Sequence, residues 1–155
     1  LQMGIANGVQ PLFGYNYGAG NWERFVTVER YTKKCCLIVG ILATALFFVL
    51  REPIIRLFID DQEVVAYGVQ MLSAYMISGP VIGILFVNMN CMQSIGKALP
   101  ATVLSVMRQG LLLIPLLYLL NAVLGLQGVI YGQALTDYAA VLLSMVLWRS
   151  MRQKI

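Results

Sequence analysis

Asp137 is the residue of this sequence best placed to do chemistry. It stands alone in an apolar run: 28 uncharged residues, Gln109 to Thr136, separate it from Arg108, and no other charge follows until Arg149. Gln133, Asp137 and Ser144 fall at i, i+4 and i+11, which puts them on one face of a helix. A carboxylate so placed serves either as a binding group for a cation or polar solute, or as a structural acid satisfied by its neighbours. Asn88, Asn90 and Gln93 form a second polar group within an uncharged stretch. They suit either the lining of a passage or hydrogen bonding between helices. Much other chemistry is excluded. There is no histidine, so no His-based triad, His-ligated zinc or histidine proton relay. Cys35, Cys36 and Cys91 lack the two-residue spacer of a chelating pair and read as small core residues, so no metal site and no cofactor are expected.

The setting of these residues is apolar throughout. Hydrophobic residues make up 59% of the 155 and charged residues 12%, about half the share usual in soluble domains. A chain of this size cannot hide that much apolar surface from water. An integral membrane protein is expected, with no nucleic-acid partner and no soluble enzymatic activity. The first residues, Leu1-Gln2-Met3-Gly4, offer no initiator methionine or leader, so the sequence reads as a piece entered midway through a helix.

The uncharged runs locate the helices. They cover 16 residues from Cys35 to Leu50, 33 from Val64 to Gly96, and the 28 before Asp137. About 20 apolar residues cross a bilayer core. The expected arrangement is all-α: a stub helix over 1–11, a loop over 12–31, and four spans at about 32–50, 66–92, 100–120 and 128–148. Gly79-Pro80 predicts a kink in the second span. The third must reach back to Pro100, which takes the first helical position and brings Arg108 inside the span. A turn of about seven residues, Asn121 to Gln127, makes the third and fourth spans antiparallel neighbours. Arg108 then lies about 12 Å from the end of its span and Asp137 about 16 Å from the same side. Pairing of the two, and snorkelling of Arg108 to the headgroups, are both open from the sequence.

Lysine and arginine gather on one side of this arrangement. Arg24, Arg30, Lys33, Lys34, Lys97, Arg108, Arg149, Arg152 and Lys154 fall on one side, against Arg51 and Arg56 on the other. The positive-inside rule makes the first side, and with it the C-terminus, cytoplasmic. Trp22 and Trp148 fall at that same interface.

The most distinctive stretch runs from Gly4 to Arg24. Physically it reads as a helix ending near Pro11, a glycine-punctuated turn, and a short interfacial helix capped by Asn21, with Trp22, Phe25 and Val26 on its apolar face. A phosphate loop is excluded, since no Gly-Lys-Ser/Thr follows. The pattern Gly8, Pro11, Gly14-Tyr15-Asn16-Tyr17-Gly18-Ala19 and Arg24 resembles the loop after the second helix of each half in MATE (multidrug and toxic compound extrusion) transporters, closest to the bacterial drug-efflux branch. Gln93-Ser94-Ile95-Gly96, Arg108 with Pro115, and Gly125-Leu126-Gln127-Gly128-Val129 before Asp137 extend the resemblance over essentially the whole chain.

The resemblance implies twelve helices in two six-helix lobes, of which this chain carries the end of the eighth and the ninth to twelfth. It implies a multi-pass protein of the cell (inner) membrane, with the lipid bilayer, small-molecule substrates and an N-terminal lobe of the same chain as partners. The implied activity is antiport: export of amphiphilic, often cationic compounds against protons or sodium ions. Asp137, Gln133, Arg108, Asn88, Asn90 and Gln93 are the pathway candidates. No acid lies between Val64 and Gly96, so no coupling residue is assigned to the second span. Met71, Met76, Met89 and Met92 suit either a pliable drug-contacting surface or ordinary packing. Two other readings remain: a lipid-linked saccharide flippase of the same superfamily, which needs a strongly cationic cavity, and a non-transporting membrane scaffold.

The charge asymmetry makes a prediction. With the native cysteines replaced, a cysteine introduced at Asn21 is expected to resist an impermeant thiol reagent in intact cells and to react once they are opened. Labelling in intact cells would reverse the topology.

Overall fold

The computed structural model describes residues 1–59 and 61–153. Asp60, Lys154 and Ile155 lie outside the described residues, Lys154 among them although it counts in the charge asymmetry. The described chain is helical: α1 (Gln2–Gly18), α2 (Trp22–Arg56), α3 (Gln62–Met76), α4 (Gly79–Ser94), α5 (Ala98–Val106), a π-helical segment (Met107–Leu112), α6 (Leu113–Leu124) and α7 (Leu126–Arg152). By length and composition α2, the continuous Ala98–Leu124 rod and α7 are each able to cross a membrane, and α3 with α4, bent at the break between them, passes the same test as a pair.

The first helix does not end at Pro11. It continues through Gly14 to Gly18, with Pro11 inside it. In an apolar medium an interrupted helix leaves peptide groups with no water to bond, and that cost exceeds the one hydrogen bond Pro11 removes. The turn is confined to Ala19-Gly20. Gly20 takes φ +69°, its N–H donates to the Tyr17 carbonyl, and the Asn21 N–H donates to that of Asn16. This is a Schellman closure, which favours glycine because the left-handed conformation crowds a Cβ. The same closure recurs at Gly96, which bonds Gln93 while Lys97 bonds Met92.

Asn21 does cap a helix: its side-chain oxygen accepts the Arg24 N–H at 3.1 Å. That helix is not a short interfacial one. It is the start of the 35-residue α2, and residues 12–31 form no extended loop. Phe25 packs inward between Phe13 and Trp148, with Trp22 stacked on it, so the aromatic face meets a core rather than a headgroup layer.

The second span breaks at Ile77-Ser78 and bends by 45°. Pro80 has no N–H to give, so carbonyls near the break lose helical donors. The Tyr138 hydroxyl donates to the freed Ile77 O at 2.9 Å, and the Gln2 amide ties α1 to Gly79 O, the first carbonyl of α4, at 2.9 Å. Beyond the break, α4 is the axis of the bundle, packing against α1, α2 and α7. Glycines allow the closest approaches: Gly83 faces Cys36 and Gln2, and Gly132 faces Leu117.

The third span begins at Ala98, so Pro100 is its third residue rather than its first. The seven-residue turn to the next span is also absent. α6 runs to Leu124 and α7 starts at Leu126, leaving Gly125 alone at φ +59°, ψ −141°. Its N–H bonds Asn121 O, and the Gly128 N–H bonds Gly125 O. That backbone conformation belongs to glycine. In the full-length protein, Gly125→Ala is expected to destabilise the fold by about 1–3 kcal/mol, read as a lowered thermal unfolding temperature. An unchanged temperature would mean that the turn relaxes without strain.

Candidate transport site

Three separate elements converge on the Asp137 carboxylate. α7 carries it, 2% exposed. The π-helical segment brings Arg108, whose Nε donates to Oδ1 at 2.8 Å. The break between α3 and α4 brings Ser78, whose hydroxyl donates to Oδ2 at 2.8 Å. Gln133, one turn back on α7, adds a longer contact to Oδ1 at 3.4 Å. Both oxygens therefore accept strong donors, which offset the cost of burying a carboxylate. Of the two dispositions open to Arg108, the structure adopts pairing.

Local sequence explains how each donor arrives. Pro115 cannot donate to a preceding carbonyl, and just before it the helix widens to π geometry over Met107–Leu112. The wide turn carries Arg108 across to α7. Ser78 immediately precedes Gly79-Pro80, so the kink that frees the backbone also aims this hydroxyl. Ser78 is not among the residues expected from sequence. Its only signal there is its place beside the Gly-Pro break.

Arg108 has a second face. With Ser105 and Gln109 it forms one wall of a cleft of about 500 Å³, and Asn7 and Gln10 of α1 and Asn90 and Gln93 of α4 form the opposite walls. These amides are paired across the helices: Asn90 donates to Asn7 at 3.0 Å and Gln10 donates to Gln93 at 3.1 Å. Asp137 does not line this cleft; it sits behind the Arg108 guanidinium. Asn88 is elsewhere again, fully buried and donating to Ser144 at 3.0 Å, a tie between α4 and α7. The expected residues thus divide. Asn90, Gln93 and Arg108 share the cleft, Gln133 and Asp137 stand behind Arg108, and Asn88 belongs to packing.

A second, apolar chamber of about 470 Å³ adjoins the cleft, with Met3 and Phe86 common to both. Val39, Ala43, Phe47 and Ile82 line it. Among the four methionines singled out, Met76 lines this chamber, Met89 the polar cleft, and Met92 the buried core, while Met71 is exposed. Of the glycine-rich motif, Gly8 and Pro11 stand next to Asn7 and Gln10 of the cleft wall, while Gly14 to Arg24 lies at the end of α1 and the first turn of α2. Asn16 is buried there and bonds Leu12 O at 2.7 Å.

Long apolar helices, a broken span and an ion pair held among them define a multi-pass helical membrane protein. Comparison with known proteins makes this specific. The MatE family model matches residues 1–119, and the chain belongs to that family, which is one of transporters and not of enzymes. It is 28% identical over 153 residues to the multidrug export protein MepA of Staphylococcus haemolyticus, covering 99% of this chain and 33% of that protein. The Staphylococcus aureus MepA gives the same identity and covers 34% of its length. Among solved structures, the MATE multidrug transporter DinF-BH is 34% identical, with a TM-score of 0.89 over 97% of this chain and 34% of that one. The fold is also that of a multidrug-resistance MATE transporter in its inward-facing form, at 18% identity and a TM-score of 0.88 over 94% of this chain and 34% of that one. The chain thus spans about a third of the length of the relatives it matches.

The two ends of the ion pair differ in burial, 3% exposed for the Asp137 side chain against 15% for Arg108. Removing Arg108 strands a carboxylate with no route to water, whereas removing the Asp137 charge leaves a guanidinium that already borders the cleft. Arg108→Met is therefore expected to cost about 3 kcal/mol, clearly more than Asp137→Asn. Adding Asp137→Asn to Arg108→Met should restore part of the loss. Thermal unfolding of the three variants checks this; equal or additive losses would mean the pair is not coupled.

Proposed function

We propose that this chain forms part of the second lobe of a secondary antiporter that exports amphiphilic, often cationic compounds in exchange for protons or sodium ions. The observation that carries the reading is the adjacent pair of cavities, one apolar and one polar, with Arg108 lining the polar one and Asp137 behind it. An amphiphile has the matching division: its ring system fits the apolar chamber, and its polar end fits the amide-lined cleft. The names of the relatives support export of drugs. The charge distribution supports a cytoplasmic C-terminus in the cell membrane.

The chemistry proposed for the site follows from the ion pair. With Asp137 ionised, Arg108 is held against α7 and its charge is cancelled. Protonation of Asp137, or approach of a cation to it, weakens the hold and turns the guanidinium toward the cleft. Cation binding at Asp137 and presentation of Arg108 in the cleft are thereby linked, which is the kind of differential interaction a coupling step requires. A saccharide flippase fits less well, because the cleft offers a single guanidinium and that one is already paired.

In the full-length transporter, Asp137→Asn keeps the shape of the side chain and removes its charge. Membrane abundance is expected to stay normal while export of a cationic dye falls by about tenfold, the equivalent of one charge-assisted hydrogen bond. Undiminished export would reduce Asp137 to a structural residue.

A further inference from the structure

A third cavity, of about 290 Å³ and separate from the cleft, is lined by Glu29, Lys33, Ile84, Met145, Trp148, Arg149 and Arg152. Beside it α2 and α7 meet only through side chains, Phe25 and Glu29 against Trp148, while both helices pack on α4. Side chains alone bridge the opening. Glu29 Oε1 accepts the Trp148 indole N–H at 2.8 Å and pairs with Lys33 at 2.5 Å. Arg152 stands 3.7 Å from Glu29 Oε2.

Two features of this cavity are unsatisfied. Glu29 is 4% exposed, yet its Oε2 has no hydrogen-bond partner among the described residues. Lys33, Arg149 and Arg152 set three positive charges against the one carboxylate, and Arg149 has no carboxylate within 4 Å among the described residues. The site asks at once for an anion, to meet the surplus guanidinium, and for a hydroxyl donor, to reach the orphan oxygen. Below the mouth, Leu37 and Ile41 continue the stripe of Lys33 on α2, and Leu142 and Val146 continue that of Arg149 on α7. All four are exposed and apolar.

The geometry points to a binding site for an anionic phosphodiester whose headgroup carries free hydroxyls, of which phosphatidylglycerol is the simplest lipid form. Its phosphate meets Arg149 and Arg152, a headgroup hydroxyl donates to Glu29 Oε2, and its acyl chains lie along the two apolar stripes. Basic pockets between spanning helices bind acidic lipid headgroups in this manner, and Trp148 marks the interfacial depth such a headgroup occupies. The inference depends neither on what the transporter exports nor on which leaflet this end faces. Its failure therefore leaves the proposed function untouched.

Native mass spectrometry of the full-length protein, equilibrated with defined lipids in detergent, tests it. Phosphatidylglycerol is expected to be retained in preference to phosphatidic acid, which lacks the hydroxyls, and to both over phosphatidylcholine. Arg149→Gln combined with Arg152→Gln should weaken retention by about fivefold per charge removed, while Arg149→Lys with Arg152→Lys should keep most of it and serve as the control for folding. Equal retention of phosphatidylglycerol and phosphatidylcholine, or retention indifferent to the arginines, would overturn the site. Phosphatidic acid held as well as phosphatidylglycerol would remove the hydroxyl contact to Glu29. Displacement of phosphatidylglycerol by equimolar soluble glycerol phosphate would make the ligand a free phosphoester rather than a lipid.

Discussion

In a bilayer every peptide N–H and C=O must find its partner inside the protein, because no water is there to serve instead. This constraint governs the architecture more than any particular side-chain contact. It carries α1 past Pro11, Gly14 and Gly18 to a closed Schellman turn at Gly20. It compresses the reversal between α6 and α7 to Gly125 alone. Where Pro80 makes a break unavoidable, it recruits the Tyr138 hydroxyl from a neighbouring helix onto the freed Ile77 carbonyl.

The break is also where structure and site meet. The same Gly79-Pro80 step that bends the span leaves Ser78 facing α7, where its hydroxyl bonds Asp137. The widened turn before Pro115 does the equivalent for Arg108. Two departures from ideal helix, each caused by a proline, thus supply the two strong donors of one buried carboxylate. A straight pair of α-helices would satisfy its own backbone but would present neither group in this way. Irregularity at this depth is tolerated because other helices bury it.

Charge obeys a parallel rule. Glu29 and Asp137 are both buried carboxylates; Lys33 and Arg152 meet the first and Arg108 the second, and each also has a neutral donor, Trp148 for one and Ser78 for the other. They differ in completeness. Asp137 has a donor on each oxygen, whereas Glu29 keeps one oxygen without a hydrogen bond. The first arrangement is a closed pair whose opening must be driven, and the second is a site with an acceptor to spare.

The all-α membrane class, the kink at Gly79-Pro80, the Asn21 cap and the place of Asp137 within a long apolar helix are legible in the sequence. Hydropathy, charge and capping accumulate along the chain and need no knowledge of neighbours. The loop expected over 12–31 and the seven-residue turn do not form, because glycine and proline break helices in water but less readily where the alternative is an unbonded peptide group. Ser78, 59 residues from Asp137, and the facing amides Asn7 and Gln10 cannot be found that way. Nor can the separate fate of Asn88, two residues from Asn90 yet bonded to a different helix. Which polar group meets which depends on the rotation and crossing of whole helices, and those are set by packing at positions such as Gly83 against Cys36. The sequence by itself determined that long apolar helices form and which polar residues are costly among them; only the tertiary structure decided how each cost is met, because the partners come from elements that nothing in the local sequence brings together.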